Sequence, residues 1–244
     1  MIAISFDIDW SPDWIVDEVV NAAERCGVPL TLYCTDPATD RSGQSSSLRG
    51  RYSTAHELGL HPNFQDTADY EGVWNSLFAH YPNAKGFRSH QGCTGFPIVQ
   101  TGARRGLIYE ASTTVAPVFV PPFHPYSRDL SDFTLVPTAF MDHKAFRHPD
   151  FKWGLDELAF ADELPRADRL YVFCFHPNIV YYDLGSELAY EAMRPHYHAA
   201  KPRSSTATER PTAARKLYDQ LIRGFQRSDF ATVLGGLSHV PRAT

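Results

Sequence analysis

Residues 2–27 read IAISFDIDWSPDWIVDEVVNAAERCG, and they decide the fold class. The first part is a short apolar run of strand-forming residues that ends on two carboxylates, Asp7 and Asp9. In the second part Ser11 can cap a helix, Pro12 suits its first turn and Gly27 ends it. A strand running straight into a helix opens a βα unit. The alternation continues outward: VPLTLYCT (28–35) and HELGLHP (56–62) read as strands, TADYEGVWNSLFAHYP (67–82) as a helix, AKGFRSH (84–90) as a strand, FPIVQTGARRG (96–106) as a helix and IYEAST (108–113) as a strand. LYVFCFHPN (170–178) is almost wholly apolar, as in a strand buried on both faces. This pattern predicts an α/β chain with a parallel sheet. Between these elements, 36–50 is a polar loop, 115–150 reads as an irregular wall rich in Pro, Phe and His, and 186–212 reads as a mobile polar loop. AARKLYDQLIRGFQ (213–226) is expected to be a helix and FATVLGGL (230–237) a closing strand.

The chain has 244 residues, enough for one large domain spanning 1–244. A net charge of −5 argues against nucleic acid as a partner and leaves small molecules and glycans. No apolar run reaches membrane-spanning length, and the N-terminus enters a strand without a basic leader, which predicts a cytoplasmic protein with no transmembrane segment. Cys26, Cys34, Cys93 and Cys174 show no CxxC spacing and read as free thiols in a reducing compartment.

Polar residues recur at predicted strand ends: Asp7 and Asp9, His61, Arg88, Glu110, His176. In parallel barrels these ends converge on one face. Asp7 and Asp9, two apart, are expected on the same side of the first strand. Their repulsion must be offset by a metal ion, a shared proton or a covalent role for one of them. An aspartate pair of this kind also begins haloacid-dehalogenase-type phosphatases. There the pattern continues Gly-Thr, whereas this chain continues Trp10-Ser11. His61 and His176 each close an apolar strand, and phosphatases of that kind need neither.

With SFDIDWSPDW, HELGLHPNF, GFRSHQG, YEAST and FCFHPN in this order, the sequence resembles the polysaccharide deacetylases, the NodB-homology or family 4 carbohydrate esterases. Within them it resembles a WbmS-like branch found with O-antigen and capsule biosynthesis. The resemblance reaches about Asn178. It implies a distorted (β/α) barrel and a hydrolase that removes an N-acyl group, acetyl or formyl, from a sugar or glycan precursor with a divalent metal, zinc foremost.

The resemblance also implies roles. Asp7 would be the general base, Asp9 and His61 metal ligands, Arg88 the residue that orients the base, and His176 the acid that protonates the leaving amine. Asp142 is expected to line the site, and His56 to be structural. Where the family has a second ligand histidine this chain has Gln65. A third ligand is therefore sought among Asn63, Gln65, His90 and His143, with His90 preferred for its softer nitrogen. The family's proline and aromatic after the arginine are replaced by His90 and Gln91. Glu110 is as well read as structural. Trp10, Phe64, Tyr109, Phe119, Phe123 and Tyr126 are candidates to stack on sugar rings. Two rival readings are a degenerate, non-catalytic glycan-binding domain, if the metal site is incomplete, and a phosphatase with Asp7 as nucleophile.

Overall fold

A computed structural model describes residues 1–36, 51–65, 67–115, 120–123, 130, 132–197 and 210–239. Among these, eight strands form one sheet: β1 (Ile2–Asp7), β2 (Leu30–Cys34), β3 (Glu57–Leu60), β4 (Gly86–Phe87), β5 (Tyr109–Glu110), β6 (Thr134–Leu135), β7 (Thr138–Met141) and β8 (Tyr171–Phe175). Their order is β6-β5-β4-β3-β2-β1-β8-β7, and every neighbouring pair is parallel. The helices are α1 (Asp13–Arg25), α2 (Tyr70–His80), α3 (Phe96–Arg104), α4 (Asp142–Ala145), α5 (Pro177–Tyr181), α6 (Glu187–Met193), α7 (Ala214–Gly224) and α8 (Val233–Leu237).

The sheet has to curl. Its outermost strands, β6 and β7, are separated in the chain only by Val136 and Pro137. A flat sheet of eight strands would hold its edges about 34 Å apart, whereas three Cα steps reach about 11 Å. A single extended stretch therefore serves both edges, pairing with β5 through Thr134 and Leu135 and with β8 from Thr138 onward. Thr138 also donates its N–H to the Thr113 carbonyl (2.8 Å). The result is the distorted (β/α) barrel that the sequence implied.

β1, flanked by β2 and β8, is buried throughout and sorts its residues by parity. Ile2, Ile4 and Phe6 pack outward against the helix layer, in the cluster that holds Val16, Val19 and Val20 of α1 and Leu217, Tyr218 and Leu221 of α7. Ala3, Ser5 and Asp7 face the opposite way, toward the interior. Two interior tyrosines, Tyr33 and Tyr109, have room because β3 and β4 carry glycine beside them. A Cβ on Gly86 would lie 1.9 Å from the Tyr109 ring, and one on Gly59 would lie 2.7 Å from that of Tyr33.

Several expectations need correction. Residues 233–237 form a helix, not a closing strand. The Thr232 side chain accepts from Gly235 N–H (3.0 Å), the Thr31 hydroxyl from Val233 N–H (2.9 Å) and the Glu57 carboxylate from Leu234 N–H (2.9 Å). These acceptors at the helix start override the β-propensity of the run. Only Phe230 keeps a strand-like bridge, to Ile2. Ser11 does not cap α1 through its side chain; Pro12 occupies the cap position in extended conformation. The stretch 115–150 is not an irregular wall throughout, since it contains β6, β7 and α4. Within the segment expected to be a mobile loop, Ser186 caps α6 through Ala189 N–H (3.2 Å) and Tyr197 is buried. Residues 198–209 lie outside the described residues, as do Phe119, Tyr126 and 37–50. Phe64 and Tyr109 are core residues, while Trp10 is partly exposed.

Candidate metal centre and active site

Every polar group of the site leaves the sheet at the C-terminal end of a strand, where parallel barrels build their sites. Asp7 is the last residue of β1, and Asp9 lies in the turn beyond it. Here the structure amends the strand-parity argument: the strand stops at Asp7, and Trp10, at φ 61°, turns the chain so that Asp9 stays over the barrel. His61 follows β3, its N–H continuing the ladder to the Cys34 carbonyl (2.7 Å). Arg88 follows β4, Asp142 begins α4 directly after β7, and His176 follows β8.

Asp9, His61 and His90 place one ligand atom each within 4.8 Å of one another, the only such group of three among the described residues. His61 Nδ1 lies 2.7 Å from the Arg88 carbonyl, so that nitrogen carries the proton and donates it. Its Nε2 lone pair then faces Asp9 Oδ1 at 3.6 Å. Asp9 Oδ1 is buried and accepts no hydrogen bond among the described residues. A buried acceptor opposite a lone pair has no stabilising contact until a cation lies between them. Fixing the remote nitrogen of a histidine on a carbonyl is also how metal-ligating imidazoles are held. His90 Nδ1 completes the group at 3.1 Å from Asp9 Oδ2. The three side chains therefore suit a divalent cation. With no cation bound, burial works against the charge of Asp9, but His61, when protonated on both nitrogens, and the His90 hydrogen bond outweigh it and hold the carboxyl well below its usual range.

His90 reaches this position through an unusual loop. Its N–H bonds the Pro62 carbonyl (2.9 Å), and the next two residues are left-handed, Gln91 at φ 53° and Gly92 at φ 69°. Gln65 does not point into the cluster. Its side-chain amide donates to the Gln91 side chain, bracing the loop that carries His90. Asn63 Oδ1 accepts from the Gln65 N–H (3.0 Å) at an exposed position. His143 packs its ring 4.8 Å from that of Tyr190, on α6, and stands 3.9 Å from Glu187, outside the cluster.

Asp7 sits in a different environment from Asp9. Burial raises its pKa, yet the Arg88 guanidinium, 2.9 Å from Oδ1, outweighs that and keeps it ionised, with His61 and His176 adding to the effect. Arg88 is itself fully engaged: Nε donates to the Ala111 carbonyl (2.8 Å), Nη1 also to Ser5 (2.9 Å), Nη2 to Thr138 (3.1 Å), and its plane lies over Tyr33 at 4.4 Å. The Cys174 thiol donates to Asp7 Oδ2 (3.5 Å). Asp142, wholly buried, accepts from the His176 backbone N–H (2.7 Å) and from its Nδ1–H (2.7 Å). Burial depresses the imidazolium, but Asp142 more than offsets it, with Asp7 and Asp9 contributing, and the His176 pKa is raised to about 9. His176 Nε2 is left facing Asp7 Oδ2 at 3.9 Å, too far for a direct hydrogen bond.

Two residues of the sequence reading take structural places. His56 accepts the Leu30 N–H on Nδ1 (3.1 Å) and faces Glu24 on Nε2 (3.2 Å). Glu110 accepts from Thr94 (2.7 Å) and is pushed up by burial. Sequence reasoning did not single out Ser5, Thr138 or Asn178 and took Cys174 only as a free thiol. Strand parity could have found two of them, since Ser5 pairs with Cys174 in register, and each lies two residues before a site group, Asp7 or His176.

This barrel, with Asp7, His176 and the Asp9–His61–His90 group gathered at one mouth, is of the polysaccharide deacetylase type. The sequence model of the WbmS-like polysaccharide deacetylase family matches residues 4–194, and the chain belongs to that family. It resembles the crystal structure of a candidate polysaccharide deacetylase involved in O-antigen biosynthesis from Bordetella bronchiseptica, at 23% identity over 91% of this chain and 89% of the other, TM-score 0.72. A second candidate polysaccharide deacetylase, from Mycobacterium smegmatis, gives TM-score 0.53 at 13% identity over 95% and 92% of the two chains. A 4-α-glucanotransferase from Thermococcus litoralis gives TM-score 0.51 at 12% identity, covering 98% of this chain and 39% of that one. At these identities the structural likenesses show the fold, and the fold alone carries several chemistries. Comparison with curated protein sequences finds no match. Membership in the family supports a hydrolase that deacetylates glycans. Among the described residues no helix is long and apolar enough to cross a membrane.

Proposed function

We propose that this chain is a metal-dependent amide hydrolase that removes an N-acyl group, acetyl or formyl, from a sugar or glycan precursor. The observation that carries the reading is the opposite poise of two neighbouring groups beside the Asp9–His61–His90 cluster: Asp7 held ionised, His176 held protonated. A base and an acid ready at the same pH are what hydrolysis of an amide requires. Asp9, His61 and His90 would hold the ion, zinc being the leading choice for a site of two imidazoles and one carboxylate. When bound, it would polarise the acyl carbonyl and acidify water. Asp7 takes the proton of the attacking water, and Arg88 fixes its carboxylate and keeps it charged. His176 delivers its Nε2 proton to the departing amine nitrogen, and Asp142 holds the imidazole in register through Nδ1. The reading treats 1–244 as one catalytic domain acting in the cytoplasm on an activated or lipid-linked sugar.

The test is metal content by mass spectrometry beside acetate and formate release from a panel of N-acyl sugars. Wild type should hold about one equivalent of metal, and His61→Ala and His90→Ala should lose it together with turnover. His176→Ala should keep the metal and lose turnover by about 10²–10⁴-fold. A wild-type protein with no specific metal ends the hydrolase reading, and metal loss in His176→Ala removes the acid assignment.

A further inference from the structure

Trp10 places a large, partly exposed side chain on a left-handed turn that glycine could make. It follows Asp9 directly, and its neighbours Ile8 and Ser11 are fully buried, yet its own residue is 39% exposed. Its φ of 61° is a left-handed conformation that a bulky side chain rarely adopts and that glycine would adopt without strain. The turn is pinned from the far side of the site: Asn178 Nδ2 donates to the Trp10 carbonyl at 2.8 Å. Asn178 is buried at the start of α5, two residues after His176, and its Oδ1 accepts no hydrogen bond among the described residues. The fold thus tolerates a half-satisfied buried amide and a strained backbone at a partly exposed tryptophan directly after Asp9. Such strain collects where a side chain must be presented to a ligand.

We propose that Trp10 is the sugar-ring platform of the site, its indole face packing on the apolar face of the pyranose whose acyl group enters the Asp9–His61–His90 cluster. This deepens the hydrolase reading and rests on it for the identity of the ligand as an N-acyl sugar. A pyranose offers a face of C–H bonds to an indole, and the ring is large, rigid and already ordered, so contact costs little conformational entropy. Acyl-group chemistry and sugar selection then belong to different residues. Trp10 acts on the affinity for the ring, not on the acid or the base.

The test compares wild type, Trp10→Gly and Trp10→Phe for metal content, melting temperature, calorimetric binding of N-acetylglucosamine, N-acetylgalactosamine and acetamide, and KM against kcat on whichever acyl sugar is turned over. Wild type should bind at least one of the two sugars more tightly than acetamide. Trp10→Gly should lose that preference, with sugar affinity down and KM up about tenfold and kcat within about threefold, while metal content and melting temperature hold. Trp10→Phe should restore most of the affinity. Loss of metal or a lower melting temperature in Trp10→Gly would make the residue structural. An unchanged sugar preference, or a wild type that binds neither sugar better than acetamide, would overturn the platform. If the sugars bind through Trp10 and no acyl group is ever released, the platform stands and the hydrolase reading falls. If acyl groups are released and KM is unchanged in Trp10→Gly, the hydrolase stands and the platform falls.

Discussion

The two ends of the barrel both enclose carboxylates, and they treat them in opposite ways. At the C-terminal ends of the strands, Asp7 and Asp9 lie among a guanidinium and imidazoles and are held below the usual carboxylate range. At the opposite end, the donors to Glu57 among the described residues are neutral. Tyr109 gives it a hydroxyl at 2.6 Å, Thr31 another at 2.9 Å and Leu234 an N–H at 2.9 Å, and burial pushes its pKa up. Glu57 ties α8 to β2, β3 and β5, so its work is done in the folded state at rest. Asp9 keeps an oxygen with no donor among the described residues, and Asp7 is charged beside a second titrating group. A buried carboxylate whose lone pairs are all used by neutral groups is a fastening. One that is kept ionised and incompletely bonded is available to react or to bind.

The largest effect expected from probing this contrast is that of Arg88→Met. It strands the Asp7 charge in the interior and should cost about 3–5 kcal/mol, read as a lower urea midpoint at unchanged slope. A loss as mild as that of any Glu57 variant would mean that the two ends do not differ in kind. Next is Asp142→Asn. In the folded protein the His176 pKa stands raised to about 9 from an ordinary 6.5, so its stabilisation is fully present below pH 6.5 and is lost as pH rises through about 9. In metal-free protein this amounts to about 3 kcal/mol at most. Melting temperatures taken across that window should fall for wild type and stay flatter for Asp142→Asn. The asparagine variant should also lose the activity that a protonated His176 supports above neutral pH. The smallest effect is that of Glu57→Gln, which should keep metal and turnover at wild-type levels and change stability at neutral pH by about 1 kcal/mol or less. Glu57 has a raised pKa, so ionising it costs stability as pH climbs through and above its ordinary 4.5. The glutamine variant should lack that slope in denaturant titrations.

The β1–α1 unit and the apolar run of β8 were legible because each writes its own signal in consecutive residues. So were the strand ends that carry Asp7, His61, Arg88 and His176, since period and punctuation locate them. His90 was legible only as a residue of suitable softness. Its place beside Asp9 depends on two successive left-handed residues, Gln91 and Gly92, and on a brace from Gln65, and no short-range pattern announces that loop. The helix at 233–237 was misread for a related reason, since its run favours a strand until Thr31 and Glu57, some 180–200 residues earlier, capture its first amides. Asp142 and His176 stand 34 residues apart, and only the adjacency of β7 and β8 puts the two together.

The stretch 134–141, which passes from one end of the sheet to the other, has a consequence for how copies of this chain meet. Exposed sheet edges offer rows of unpaired N–H and C=O groups onto which another chain can add a strand. Here Leu135 exchanges both backbone hydrogen bonds with Phe123, and Thr138 is bonded from the side of Thr113 and Val115. At Leu135 and Thr138, therefore, a neighbouring chain meets backbone groups that are already paired. Resistance to that kind of association is then a property of topology as much as of surface charge.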